Sequence, residues 1–131
     1  MKIATEYPPN YQEIIASGLK PRGTTIFCWG DTIFNPSGQE IPKDIIVHEE
    51  VHSKQQGQFP QVWWTKYLYD KNFRLDQELE AYHTQLQWIK KEIPKAYKEA
   101  LNEFAEHLSS PIYNLSISHY QASTLIRKYN K

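Results

Sequence analysis

Hydrophobic and polar positions follow two rhythms along this chain. Between residues 24 and 34 the run TTIFCWGDTIF is rich in β-branched and aromatic residues and is split by Gly30-Asp31. It reads as two short strands forming a hairpin over Thr24–Phe34, ended by the turn phrase NPSG. After that the period becomes helical. A helix from Pro42 to about Gln56 opens on a proline and stops at Gly57, and helical patterns follow over Pro60–Tyr69, Arg74–Lys91 and Pro94–Leu108. In the tail Ser118 caps a last helix. Ahead of the hairpin, EYPPNYQEIIASGLKPRG contains a Pro-Pro break, Asn10 as a cap and a short helix over Tyr11–Ser17, so the N-terminal segment reads as a leading arm. No repeat, low-complexity tract or linker interrupts the pattern. The expectation is one domain over residues 1–131, α+β and mostly α, with a small hairpin or sheet beside the helix of residues 42–56.

Composition narrows what such a domain does. The 131 residues are 40% hydrophobic and 14% aromatic, enough for one core, and 15 basic side chains balance 15 acidic ones. That balance offers no basic field for a nucleic-acid backbone or an anionic membrane, so neither is expected as a partner. The opening MKIATEYPPNYQ lacks the apolar run of a signal peptide, and no stretch of about 18 apolar residues occurs. A cytoplasmic location without a signal peptide or transmembrane segment is the expectation. Cys28, the lone cysteine, has no partner for a disulfide or a thiolate metal site and reads as a buried strand residue.

The chemistry lies in IIVHEEVH, residues 45–52, where His48 and His52 stand four apart with Glu49 directly after the first. On a helix, residues four apart share a face, so both rings can aim at one point. Glu49 sits about 100° further round, badly placed for a ligand and well placed for a water at the metal. The pattern therefore predicts Zn2+ held by His48 and His52, with Glu49 as the general base that takes a proton from a zinc-activated water. With this composition an accidental His-Glu-x-x-His has only about one to two chances in a hundred, and the helical setting favours a site over accident. Glu50 points elsewhere and reads as solvated.

A third ligand is sought in RLDQELEAYHTQLQW, which offers Asp76, Glu78, Glu80 and His83. Glu78 and Glu80 are about 200° apart on a helix, and Glu78, between Leu75 and Leu79, falls on the side that buries. HEEVH together with ELEAY resembles the gluzincin class of zinc metallopeptidases, whose third ligand is a glutamate on a later helix, in several branches within Glu-x-x-Ala followed by Asp or Asn. The resemblance implies a helical zincin-like core, Glu78 as third ligand and Ala81 as the small packing residue. Tyr82 stands where the branches mostly carry Asp or Asn, so Asp76, Glu80 or a backbone carbonyl is expected to orient a histidine ring instead. Residues 44 to 88 are also similar to short metallopeptidase-like proteins of phages and prophages, which pair an HE..H..QQ helix with an E.EAY..Q helix. Gln55, Gln56 and Gln85 fill those positions here, and a phage origin would place the protein in the host cytoplasm or the virion.

Hydrolysis of peptide or protein substrates, or of peptidoglycan amide bonds, is the chemistry this implies. Tyr82, His119 and Tyr120 are candidates for stabilising the transition state, and the hairpin is a candidate edge for an extended peptide. Its plainer role is to cover the core. Trp63 and Trp64 read as core with a rim, and His107 as solvated. Two other functions fit the same residues: a structural or virion-associated module that keeps zinc without turnover, and a metal-free partner-binding domain in which the motif is accidental.

Overall fold

The computed structural model describes residues 1–130. It is α+β and mostly helical: strand β1 (Lys2–Ala4), helix α1 (Tyr11–Ala16), strands β2 (Phe27–Trp29) and β3 (Thr32–Phe34), then helices α2 (Lys43–Gln56), α3 (Pro60–Tyr69), α4 (Lys71–Glu92), α5 (Tyr97–Leu108) and α6 (His119–Lys128). A 3-10 turn over Pro94–Ala96 leads into α5. No helix among the described residues is long and apolar enough to cross a membrane.

The hairpin forms as its composition predicts, with Cys28 opposite Ile33 in antiparallel register. The leading arm holds more than the pattern suggested. Lys2–Ala4 pairs parallel with β3, Ile3 opposite Ile33, giving the sheet order β1-β3-β2. Asn10 is not the side-chain cap of α1; it is buried, and both its amide atoms lack hydrogen-bond partners among the described residues. Helix α4 begins at Lys71, three residues earlier than expected, because the Asp70 carboxylate accepts the Phe73 amide as a cap. At Ser118 the predicted cap is a full capping box with Gln121.

Helix α4, 22 residues and about 33 Å long, packs against α2, α3, α5 and α6. Leu86, Phe104, Leu108 and Ile126 build one core where α4, α5 and α6 meet. A second, aromatic core gathers Ile14, Phe27, Trp63, Trp64, Tyr67 and Leu68 around α1, β2 and α3. Between these cores lies the face of α2 opposite α4. Glycine ends α2 because Gly57 takes φ +56°, which a side chain would disfavour.

Helix α2 inverts the usual burial. Apolar Ile45, Ile46 and Val47 precede the motif, yet they and Asp44 are only half-buried, and the buried positions are His48, Glu49, His52 and Gln56. Burying polar groups is costly unless they are paired or hold a ligand. Gln56 is fully paired: its Oε1 accepts the Gly30 amide at 2.6 Å and its Nε2 donates to the Cys28 carbonyl at 2.8 Å, fastening the metal-motif helix to β2. Trp64 Nε1 donates to the same carbonyl. The edge of β2 is thus occupied at Cys28, and the hairpin covers the core there instead of offering that carbonyl to an extended peptide.

Candidate metal centre

His48 and His52, one turn apart on α2, turn their rings toward α4, and Glu78 meets them from there. Their Nε2 atoms are 3.2 Å apart. Glu78 Oε1 lies 3.2 Å from one and 3.3 Å from the other. All three side chains are buried and their ligand atoms fall within 4.8 Å of one another, a group that can hold a metal ion. Glu78 Oε1 is also a buried oxygen with no partner among the described residues besides these two histidine nitrogens. Such an atom is expensive in a folded chain unless a cation takes it up.

The ring tautomers follow from the surrounding amides. Gln85 Nε2 donates to the Asp44 carboxylate at 2.7 Å, so the Gln85 oxygen must face His48 Nδ1, 2.9 Å away. Gln55 Nε2 likewise donates to Glu80 Oε1 and to the Gln77 carbonyl, leaving its oxygen 2.8 Å from His52 Nδ1. An amide oxygen only accepts, so both Nδ1 atoms carry hydrogen, and it is Nε2, facing Glu78, that gives up its proton and offers a lone pair when a ring becomes neutral to bind a metal. Tyr67 completes the arrangement by donating its hydroxyl to Glu78 Oε2 in a short hydrogen bond, which leaves Oε1 directed at the histidines.

These contacts correct the expectation for what orients the rings. Glutamines do it, and Glu80 acts one residue removed, through Gln55. Asp76 is exposed beside Gln77. Gln55 stands three residues after His52 on the same helix, a spacing that could have identified it. Gln85→Leu and Gln55→Leu should each weaken binding of a metal ion at this group by about 10–100-fold. Chelator competition checks this, with Asp44→Asn expected to lose less than Gln85→Leu because it leaves the acceptor on His48.

Electrostatics match the geometry. Burial favours loss of the His52 proton, but the adjacent Glu78 carboxylate overrides it and the His52 pKa is pushed up to about 9. Burial works against the Glu78 charge as well, and the positive His52 and the neighbouring His48 hold its carboxyl far below the usual range. Glu49 is buried, with Oε2 3.9 Å from His48 Nε2 and no hydrogen bond among the described residues. Burial pushes its carboxyl up from the ordinary carboxylate range, and the two histidines pull it back. Glu50 is exposed, as expected.

Of the transition-state candidates only Tyr82 is near. Its ring lies edge-on to His48 with centroids 4.5 Å apart, and its hydroxyl is 2.7 Å from that of Tyr113. His119 and Tyr120 are misplaced in the sequence reading: Tyr120 is 78% exposed, and exposed His119 contacts the Asn102 carbonyl at the start of α6. His83 faces the Ile126 carbonyl and is not a ligand. Cys28 is buried in β2, and burial pushes its thiol far up, as a structural residue requires.

Tyr113 emerges only in the folded chain. It borders the space beside His48 and Glu49 and is carried by a loop in which Asn114 and Ser116 adopt positive φ. Buried Arg74 ties that loop down. Its guanidinium donates to the Tyr113 carbonyl at 2.8 Å, and to Tyr67 and Leu68 carbonyls at 2.6 and 3.2 Å. These carbonyls at the end of α3 and in the loop compensate a charge that has no carboxylate partner among the described residues. Trp63 and Trp64 pack in the aromatic core, as read from the sequence, and also line the recess beside the candidate metal ligands. Comparison of the chain with known family profiles, curated proteins and solved structures finds no significant match.

Proposed function

We propose that this protein is a zinc-dependent hydrolase of peptide bonds, with zinc held by His48, His52 and Glu78. The observation that carries the reading is the triangle of ligand atoms. Its edges measure 3.2, 3.2 and 3.3 Å, and a tetrahedral centre with ligands about 2.0–2.1 Å away has edges of about 3.3–3.4 Å. Two imidazoles and one carboxylate are also a donor set that suits zinc. Three protein ligands leave a fourth position, the arrangement of catalytic centres rather than closed structural ones. Zinc bound there supplies Lewis acidity, polarising a carbonyl and making a water easier to deprotonate.

The remaining roles belong to the chain. Glu49 accepts the proton of the attacking water and passes it to the departing amine nitrogen. Burial keeps the Tyr113 phenol protonated, so it can donate to the carbonyl oxygen as that oxygen gains charge. Tyr82 orients it through the hydroxyl pair. Gln55, Gln85 and Tyr67 hold the three ligands in register.

Incubation of the zinc-loaded protein with a mixed peptide library, read by mass spectrometry, tests the reading. New termini should form, vanish with a chelator and return with added zinc. Bound zinc without new termini would instead assign the metal a structural role.

A further inference from the structure

Two cavities meet at Glu49. One is a recess of about 100 Å3 walled by aromatic and aliphatic side chains, among them Phe27, Trp63 and Tyr67. The other is a groove of about 550 Å3 that leaves the metal cluster and runs along α5. Glu49 lines both and is 7% exposed; its one ion-pair contact among the described residues is His48 Nε2 at 3.9 Å, so a buried carboxylate borders the groove where it meets the ligand cluster.

Along the groove, α5 and the turn before it present Ala96, Glu99, Ala100, Glu103, Phe104 and His107. These positions are three and four apart, one face of a helix. Ala96 and Ala100 leave the space, and Phe104 floors it. Glu99 and Glu103 stand exposed at its rim, and Asp44 faces in from α2. None of the three carboxylates has a basic group within ion-pairing distance among the described residues, although the chain carries 15 lysines and arginines. Against them the lining holds, among the described residues, one fixed cation, Arg22. An apolar floor with an acidic rim fits a long aliphatic stem that ends in a positive charge.

We infer that the groove is the subsite for a lysine or arginine side chain of the peptide substrate, an inference that rests on the hydrolytic reading above and names its substrate class. Rim carboxylates of this exposure favour a cation by about three- to tenfold in total, and salt weakens the preference.

The test measures binding, on the zinc-loaded Glu49→Gln chain, so that absence of cleavage in the native protein bears on the hydrolytic reading and leaves this one measurable. Fluorescent peptides identical except for one central Lys, Gln or Glu are compared by anisotropy at low and high salt. The Lys peptide should bind about three- to tenfold more tightly than the Gln peptide at low salt, the Glu peptide most weakly, with the spread narrowing at high salt. Glu99→Gln/Glu103→Gln should remove the preference, and Glu99→Lys/Glu103→Lys should turn it toward the Glu peptide while zinc content stays the same. Equal binding of the three peptides, a preference that survives Glu99→Gln/Glu103→Gln, or no binding of any peptide overturns the proposal.

Discussion

Glu49→Gln should keep its zinc and lose roughly 10²–10⁴ of its turnover. The glutamine is nearly isosteric, so the buried space beside His48 stays filled. The three ligand atoms come from other residues, so metal affinity should hardly change. What disappears is a carboxylate able to accept a proton beside the reacting water, in a position where burial raises its proton affinity. Zinc content and turnover measured on the same preparation check both halves. Loss of zinc in this variant would mean that Glu49 is a ligand. Glu50→Gln, altered at an exposed position one residue along, is the control and should behave as the native chain does.

His48→Ala and His52→Ala should each fail to retain zinc at stoichiometric metal, and Glu78→Ala should lose an order of magnitude or more in affinity. Each removes one corner of the triangle and leaves two ligands. Because the metal binds only the assembled site, native protein should melt at a higher temperature with zinc than with chelator, and these variants should lose that difference. Glu78→Ala also strips the Tyr67 hydroxyl of its acceptor. Glu80→Ala touches the site only through Gln55 and should act weakly. Chelator competition on the two glutamate variants decides between them: a larger loss in Glu80→Ala would transfer the ligand role there.

The residues that sequence reasoning found are those whose information is local. His48, Glu49 and His52 lie within five positions, and helical geometry alone gathers them. Glu78 was separable from Glu80 because 200° on a helix sends one inward and the other outward, and in the fold Glu78 is 3% exposed while Glu80 is only partly buried. Gln55 was equally legible from its spacing to His52, as was Gln85, two turns beyond Glu78 on the same face. Their importance was obscured because a neutral amide is rarely considered when a carboxylate is sought. Tyr67 and Tyr113 had no local signal. One comes from α3 and the other from a loop fixed by Arg74, 39 residues away, and only tertiary packing sets them beside the metal ligands. β1 was missed for the same reason, since three residues pairing in parallel with a strand some thirty positions later leave no periodicity to read.

The polar burial of α2 is the feature that joins fold to chemistry. A helix that hides two histidines and two polar partners while leaving Ile45, Ile46 and Val47 half-exposed is poorly explained by packing alone. Gln56 accounts for its own burial by fastening β2. On the proposed reading the other three account for theirs by serving a metal and the water beside it.

Crystals of the native chain grown with zinc and measured on both sides of the zinc absorption edge test that assignment most directly. The anomalous difference map should show one strong peak about 2.0–2.2 Å from His48 Nε2, His52 Nε2 and a Glu78 carboxylate oxygen, with Glu49 beside the peak but outside bonding distance. A map with no peak among these three residues, or with its peak elsewhere on the chain, would contradict it.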